Sequence, residues 1–147
     1  MLDTIESILS RKRQEIWSVA PYASVYEAIA LMAEKAIGAV LVVADQKLVG
    51  IVSERDYARK VILQGRSSKE TRVEEIMTRD LITVGPENTV DECMKIMTHR
   101  RVRHLPVLHR GALAGIVSIG DLVNAVIADQ AHTIDQLHMY IGAKYPA

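Results

Sequence analysis

Two stretches decide how this chain folds: Gly50-Ile51-Val52-Ser53-Glu54-Arg55-Asp56 and, 65 residues on, Gly115-Ile116-Val117-Ser118-Ile119-Gly120-Asp121. Extended outward at that offset, Val19 meets Val84, Pro21 meets Pro86, Val25 meets Val90, Glu27 meets Glu92 and Met32 meets Met97. Val42 meets Val107, Leu48 meets Leu113, and Val61-Ile62 meets Val126-Ile127. No insertion interrupts the match from Ile16 to Leu63, which identifies an internal duplication.

Each copy carries the same order of signals. Trp17–Val19 and Ile82–Val84 read as short extended pieces, each followed two residues on by a proline that keeps the chain out of helix. Ser24-Val25-Tyr26-Glu27 and Thr89-Val90-Asp91-Glu92 have the capping-box form of a helix start. Apolar residues then recur at helical spacing: Val25, Ala28, Ile29 and Met32, against Val90, Cys93, Met94 and Met97. Ala39–Ala44 with Leu48–Val52, and Leu105–Leu108 with Ala112–Val117, predict strand pairs split by Asp45-Gln46-Lys47 and His109-Arg110-Gly111. A closing helix starts near Asp56 or Asp121.

The expected fold is therefore α/β (α+β), a β-α-β-β-α unit written twice. One unit of about 50 residues buries too little surface to stand alone. The two are expected to pack sheet to sheet about a pseudo-two-fold axis. The boundaries read as an N-terminal segment 1–15, repeat one 16–64, a connector 65–80 with a short helix at Val73–Met77, repeat two 81–128 and a tail 129–147. In that tail Thr133 is expected to cap a separate amphipathic helix bearing Ile134, Leu137 and Ile141.

Bulk composition narrows the function. Lys+Arg and Asp+Glu number 18 each, so no global field favours nucleic acid or an anionic membrane. One cysteine, Cys93, excludes an internal disulfide framework and fits a reducing compartment. MLDTIESILSRKRQEIW does not read as a signal peptide, and no stretch approaches the ~20 apolar residues that span a bilayer. A cytoplasmic, soluble protein with an aliphatic core is expected, since the chain has no Phe and one Trp.

The duplicated helix, apolar strand pair, Gly-Ile-Val-Ser-x-x-Asp and second helix resemble the cystathionine β-synthase-type (CBS) domain, over about Ile16–Ala128. These domains occur in tandem pairs called Bateman modules. The resemblance implies a disc-like module binding adenosine nucleotides in clefts between its repeats: AMP, ADP, ATP, S-adenosylmethionine or NAD(H). It further implies regulation of an attached or separate protein, a homodimer formed through the peripheral helices, and no catalytic cofactor. The chain is similar to the small stand-alone CBS-pair proteins of bacteria and archaea.

Residue by residue, a carboxylate at Asp56 or Asp121 can accept both hydroxyls of a ribose, and in CBS pairs the matching aspartate does so. An aspartate at a helix start also serves as a cap. Ser53 and Ser118, where strand gives way to helix, suit ribose or phosphate, or simply end the strand. Gly120 permits close backbone approach. Its counterpart Arg55 departs from the small or hydroxyl residue frequent in the family; it can give phosphate a charge-assisted contact or block that cleft, so the two sites are expected to be non-equivalent.

The basic run Thr98-His99-Arg100-Arg101-Val102-Arg103-His104 places His99, Arg100 and Arg103 as phosphate candidates, against a solvated basic turn. His99-Arg100 ahead of Leu105-Pro106 resembles the basic pair in regulatory γ subunits of AMP-activated kinase. The adenine candidates are Trp17-Ser18-Val19 with Ile37-Gly38-Ala39, and Ile82-Thr83-Val84 with His104-Leu105-Pro106. Trp17 reads as packing rather than stacking, and repeat one has Leu41 where repeat two has Pro106.

Cys93 falls on a core-facing helix position, and the histidines lack ligand spacing for a metal. No residue set marks catalysis. Nucleic-acid binding through Arg100, Arg101 and Arg103 is the alternative, which zero net charge and few aromatics oppose.

Overall fold

The computed structural model describes residues 3–12 and 15–144, with side chains to residue 138. In order along the chain come α1 (Ile5–Lys12), β1 (Ser18–Val19), α2 (Val25–Lys35), β2 (Ala39–Ala44), β3 (Lys47–Ser53) and α3 (Glu54–Tyr57). A π-helical turn at Ala58–Ile62 and a 3-10 turn at Val73–Glu75 follow. Then come α4 (Val90–Arg100), β4 (His104–His109), β5 (Ala112–Ser118) and α5 (Ile119–Lys144).

Local chemistry accounts for the helix ends. Ser24 and Thr89 accept the amide hydrogens of Glu27 and Glu92, each at 3.1 Å, and at the second start the Thr89 amide donates back to the Glu92 carboxylate at 3.0 Å, closing a full capping box. The buried faces are Val25, Ala28 and Met32 in α2, and Val90, Cys93 and Met97 in α4. Both helices stop on a left-handed residue, Ala36 at φ 54° and Arg101 at φ 56°. Neither is a glycine, although that conformation costs a residue with a Cβ about 1–2 kcal/mol. The amides of Ile37 and Val102 then close back on the Met32 and Met97 carbonyls at 3.0 and 3.1 Å, satisfying helix-end acceptors.

The described residues fall into two compact units, one of 15–83 and 108–115, the other of 3–12, 84–107 and 116–144. In the first, β1 runs parallel to β2 and β2 antiparallel to β3, with Val19 beside Val42 and Ala39 opposite Ser53. Its core joins α2 to Val40, Val42, Val52, Val61, Val73 and Ile76. In the second, Val84 makes a parallel bridge to Val107, the same pairing 65 residues on. The strand expected at Ile82–Val84 is reduced to that one bridge. Strands β4 and β5 form a two-stranded sheet.

Each helix start in the duplication is also gripped by a segment outside the repeat. Val73 and Glu74 donate their amides to Ala23 and Pro21, and Val25 donates to Thr71. In the second unit Ile5 and Glu6 donate to Asn88 and Pro86, and Val90 donates to Asp3. Residues 3–6 therefore do for α4 what 71–74 do for α2, and α1 buries Ile5 and Ile8 in that unit.

The tail differs from expectation. Thr133 caps nothing: α5 is one continuous helix of 26 residues, and the Thr133 hydroxyl donates to the Asp129 carbonyl one turn back at 3.1 Å.

Gly50, which opens the duplicated phrase, is there because backbone crosses it. The Ile51 and Thr78 amides donate to each other's carbonyls at 3.1 and 2.9 Å. A Cβ on Gly50 would stand 2.5 Å from Met77 Sδ and 3.1 Å from the Thr78 carbonyl oxygen. Gly50→Ala should therefore cost about 1–3 kcal/mol, seen as a fall in thermal midpoint. Gly120→Ala, whose nearest neighbour is 3.6 Å away on an exposed helical turn, should hold the midpoint or raise it.

Candidate functional site

The duplicated phrase places a strand end, a serine and an aspartate at one junction in each unit. In the first unit Gly38 accepts the Glu54 amide at 3.0 Å, and Trp17 accepts the Leu41 amide at 3.4 Å. Trp17-Ser18-Val19, Gly38-Ala39 and Ser53–Asp56 are thereby brought to one end of the sheet. In the second unit Arg103 accepts the Ile119 amide at 2.8 Å, and Val84 donates to Pro106 at 3.1 Å. That gathers Val84, Arg103-His104, Pro106 and Ser118–Asp121. Ile82 and Thr83 fall in the first unit.

Both aspartates are committed locally. The Ser118 amide donates to Asp121 Oδ2 at 2.8 Å, and the Asp121 amide donates back to Ser118 Oγ at 3.1 Å. Ser53 and Asp56 repeat the exchange at 2.9 and 3.1 Å, and the Ser53 hydroxyl adds a bond to Asp56 Oδ2. The serines, not the aspartates, are the caps; each aspartate stands three residues into the box.

Each carboxylate also holds a lysine that sequence reasoning missed. Lys60 Nζ lies 3.0 Å from Asp56 Oδ1 and donates to the Ile76 carbonyl at 2.8 Å. Lys12 Nζ donates to Asp121 Oδ2 at 2.8 Å and to the Ile116 carbonyl at 3.0 Å. The two are not repeat equivalents, since Ala125 stands where Lys60 would recur. Lys60, four residues after Asp56, carried a helical-pair signal. Lys12 carried none, being 109 residues from its partner.

His104 completes this corner of the second unit. Burial holds its imidazole below its ordinary pKa, and the Lys12 charge adds to that against the opposing pull of Asp121. Among the phosphate candidates, His99 and Arg100 close the last turn of α4 and are exposed there, where cations suit the helix dipole. Arg103, Arg55 and Gly120 are exposed as well, Arg55 in α3 and Gly120 in the first turn of α5. Among the described residues, no hydrogen bond joins His99 or Arg100 to Asp121.

The adenine candidates divide by burial. Ser18 and Thr83 are exposed and Ile82 is half-buried, whereas the Leu105 side chain is fully enclosed and serves the core. Val19 and Ile37 pack on the first unit's core. The Trp17 ring is covered by Lys35 Nζ, 4.2 Å from its centroid, consistent with packing. The Val84 amide is taken by the Pro106 carbonyl, within the parallel bridge to Val107.

Cys93 is buried, and burial followed by the Glu92 charge pushes its thiol up to about 11, unfit for nucleophilic work near neutrality. Among the described residues no three His, Cys, Asp or Glu side chains gather as a metal site, and no helix is long and apolar enough to cross a membrane.

Comparison with known proteins agrees with this architecture. The CBS domain model matches residues 5–62 and 73–128, and the chain belongs to that family. A CBS domain-containing protein of Arabidopsis thaliana, CBSX3, described as mitochondrial, is 46% identical over 127 residues, covering 83% of this chain. The match spans 62% of that relative's length. A solved structure from Burkholderia ambifaria, described as a signal-transduction protein with CBS domains, is 57% identical with a TM-score of 0.83, covering 86% of this chain and 96% of that one. The CBS-domain pair of MJ0100, solved with 5-methylthioadenosine and S-adenosyl-L-methionine, is 26% identical with a TM-score of 0.77, covering 88% and 99%. The fold is thus a mixed α/β CBS pair with two small sheets, and one of its structural neighbours takes adenosine ligands.

His104 gives this corner a measurable pH signature. Its pKa lies lower in the folded protein than the unfolded 6.5, so stability is present above pH 6.5 and is lost as pH falls from there through the folded value. His104→Gln should flatten that part of a stability-against-pH curve. Lys12→Met should move the His104 titration upward, as read by NMR.

Proposed function

We propose that this chain is a regulatory module that binds an adenosine nucleotide and passes its occupancy to a protein surface. The carrying observation is the Ser-x-x-Asp box at the strand-to-helix junction, present twice, with strand backbone and exposed basic residues beside it. AMP, ADP or ATP leads the candidates, with NAD(H) and S-adenosylmethionine next. Asp121 and Asp56 take the ribose hydroxyls, supported by Ser118 and Ser53. The box leaves lone pairs on each carboxylate, so capping and ribose binding are compatible.

Phosphate goes to the backbone at Gly120 and to Arg103, His99 and Arg100 in the second unit, and to Arg55 in the first. The base lies against Val84, His104 and Pro106 with Ile82, Thr83 and Leu105 as neighbours in sequence, or against Trp17, Ser18, Val19, Ile37, Gly38 and Ala39. The domain reading stays at 16–64 and 81–128, flanked by 1–15, 65–80 and 129–147. The chain is a sensor without chemistry of its own, and a reducing compartment such as the cytoplasm suits its single buried cysteine.

Self-association through α5 is part of this reading. Val123, Ile127, Ile134 and Leu137 are exposed at spacings of four, seven and three, with Gln130 filling the gap. That is about two heptads of a coiled-coil pattern, with Ile127 and Ile134 at one position and Val123, Gln130 and Leu137 at the other, which suits a pair of like helices. A homodimer is expected by light scattering at micromolar concentration. Ile134→Glu with Leu137→Glu should shift the mass to that of a monomer.

Titration calorimetry of the full chain with AMP, ATP, NADH and S-adenosylmethionine tests the binding reading. At least one should bind, and Asp121→Asn, which keeps the box's shape, should weaken it about tenfold. Silence from all four at about millimolar concentration overturns the proposal.

A further inference from the structure

We infer that Lys12 is the specificity-determining residue of the second unit's site, making it select a phosphorylated nucleoside over the bare nucleoside. This rests on the reading of Asp121 as the ribose acceptor. Asp121 Oδ2 already accepts from the Ser118 amide and from Lys12, at 2.8 Å each. A ribose diol needs acceptor positions on the same carboxylate, and an ammonium can only donate.

The Lys12 side chain is 19% exposed, against 44% for Lys60 in the first unit, so water reaches it poorly. An ammonium in that setting leaves its carboxylate only for another anion. The Ile116 carbonyl, its second partner, offers no charge. His104, half-buried beside it, offers none either, and Arg103 adds a further cation. A neutral nucleoside would strand the ammonium, whereas a phosphate replaces the contact it gives up. The N-terminal helix would then move its last residue from the protein's own carboxylate to the ligand, so the exchange couples charge on the ligand to the position of α1.

Calorimetry on the full chain with AMP and with adenosine tests this, using wild type, Lys12→Met and Lys12→Arg. Lys12→Met should weaken AMP about tenfold and leave adenosine unchanged or tighter, so the preference for AMP falls by about tenfold or more. Lys12→Arg should keep AMP preferred. Equal weakening of both ligands, or an unchanged preference, overturns the inference and makes Lys12 a structural strut. If thermal unfolding shows Lys12→Met to be unfolded, Lys12→Gln carries the same comparison. Wild type that binds neither AMP nor adenosine overturns this inference and leaves the ribose reading to the four-ligand titration, whereas Asp121→Asn that alters neither ligand sinks the ribose reading and this inference with it. Changes at Lys12 alone cannot produce that pattern.

Discussion

The reciprocal exchange between serine and aspartate at the end of β3 and of β5 organises the rest of each unit. It stops the strand, starts the next helix and holds a carboxylate at the junction. Caps of this kind contribute about 0.5–2 kcal/mol each, a modest sum. Their larger effect is geometric, because the Glu54 and Ile119 amides beside the boxes close onto Gly38 and Arg103 at the start of the neighbouring strand. Strand, helix and carboxylate are fixed by the same few bonds.

Local and functional readings of that carboxylate do not exclude each other. An ionised aspartate has about four acceptor positions. The box engages one oxygen of Asp121, and Lys12 shares it. A ligand group that takes that oxygen displaces the lysine rather than the cap, since the cap holds the start of α5. The two sites differ in where that lysine comes from: Lys60 is one helical turn away and well solvated, Lys12 is brought from the far end of the chain and shielded. A shielded pair in lower dielectric is the stronger one and the less screened by salt. Duplication thus produced two like boxes whose electrostatics diverged through residues outside the repeat.

Much of this was legible in residues. The offset of 65 located both helices, all four long strand segments and both boxes, because apolar spacing and hydroxyl-to-carboxylate spacing are local signals. The grip of residues 3–6 on α4 was not, since its counterpart at 71–74 lies at a different offset and shares only Glu6 with Glu74. Thr133 misled because a hydroxyl ahead of an apolar run reads as a cap, yet a threonine inside a helix satisfies itself on the carbonyl one turn back. The left-handed ends at Ala36 and Arg101 gave no glycine to find.

The sequence by itself determined the duplication, the class of fold and the identity of the paired serines and aspartates, since these depend on contacts within a few residues. Only the tertiary structure decided which cation each carboxylate holds, how deeply His104 and Leu105 are enclosed, and why Gly50 is bare. Those outcomes depend on segments that meet across long stretches of chain, where neither propensity nor periodicity carries information.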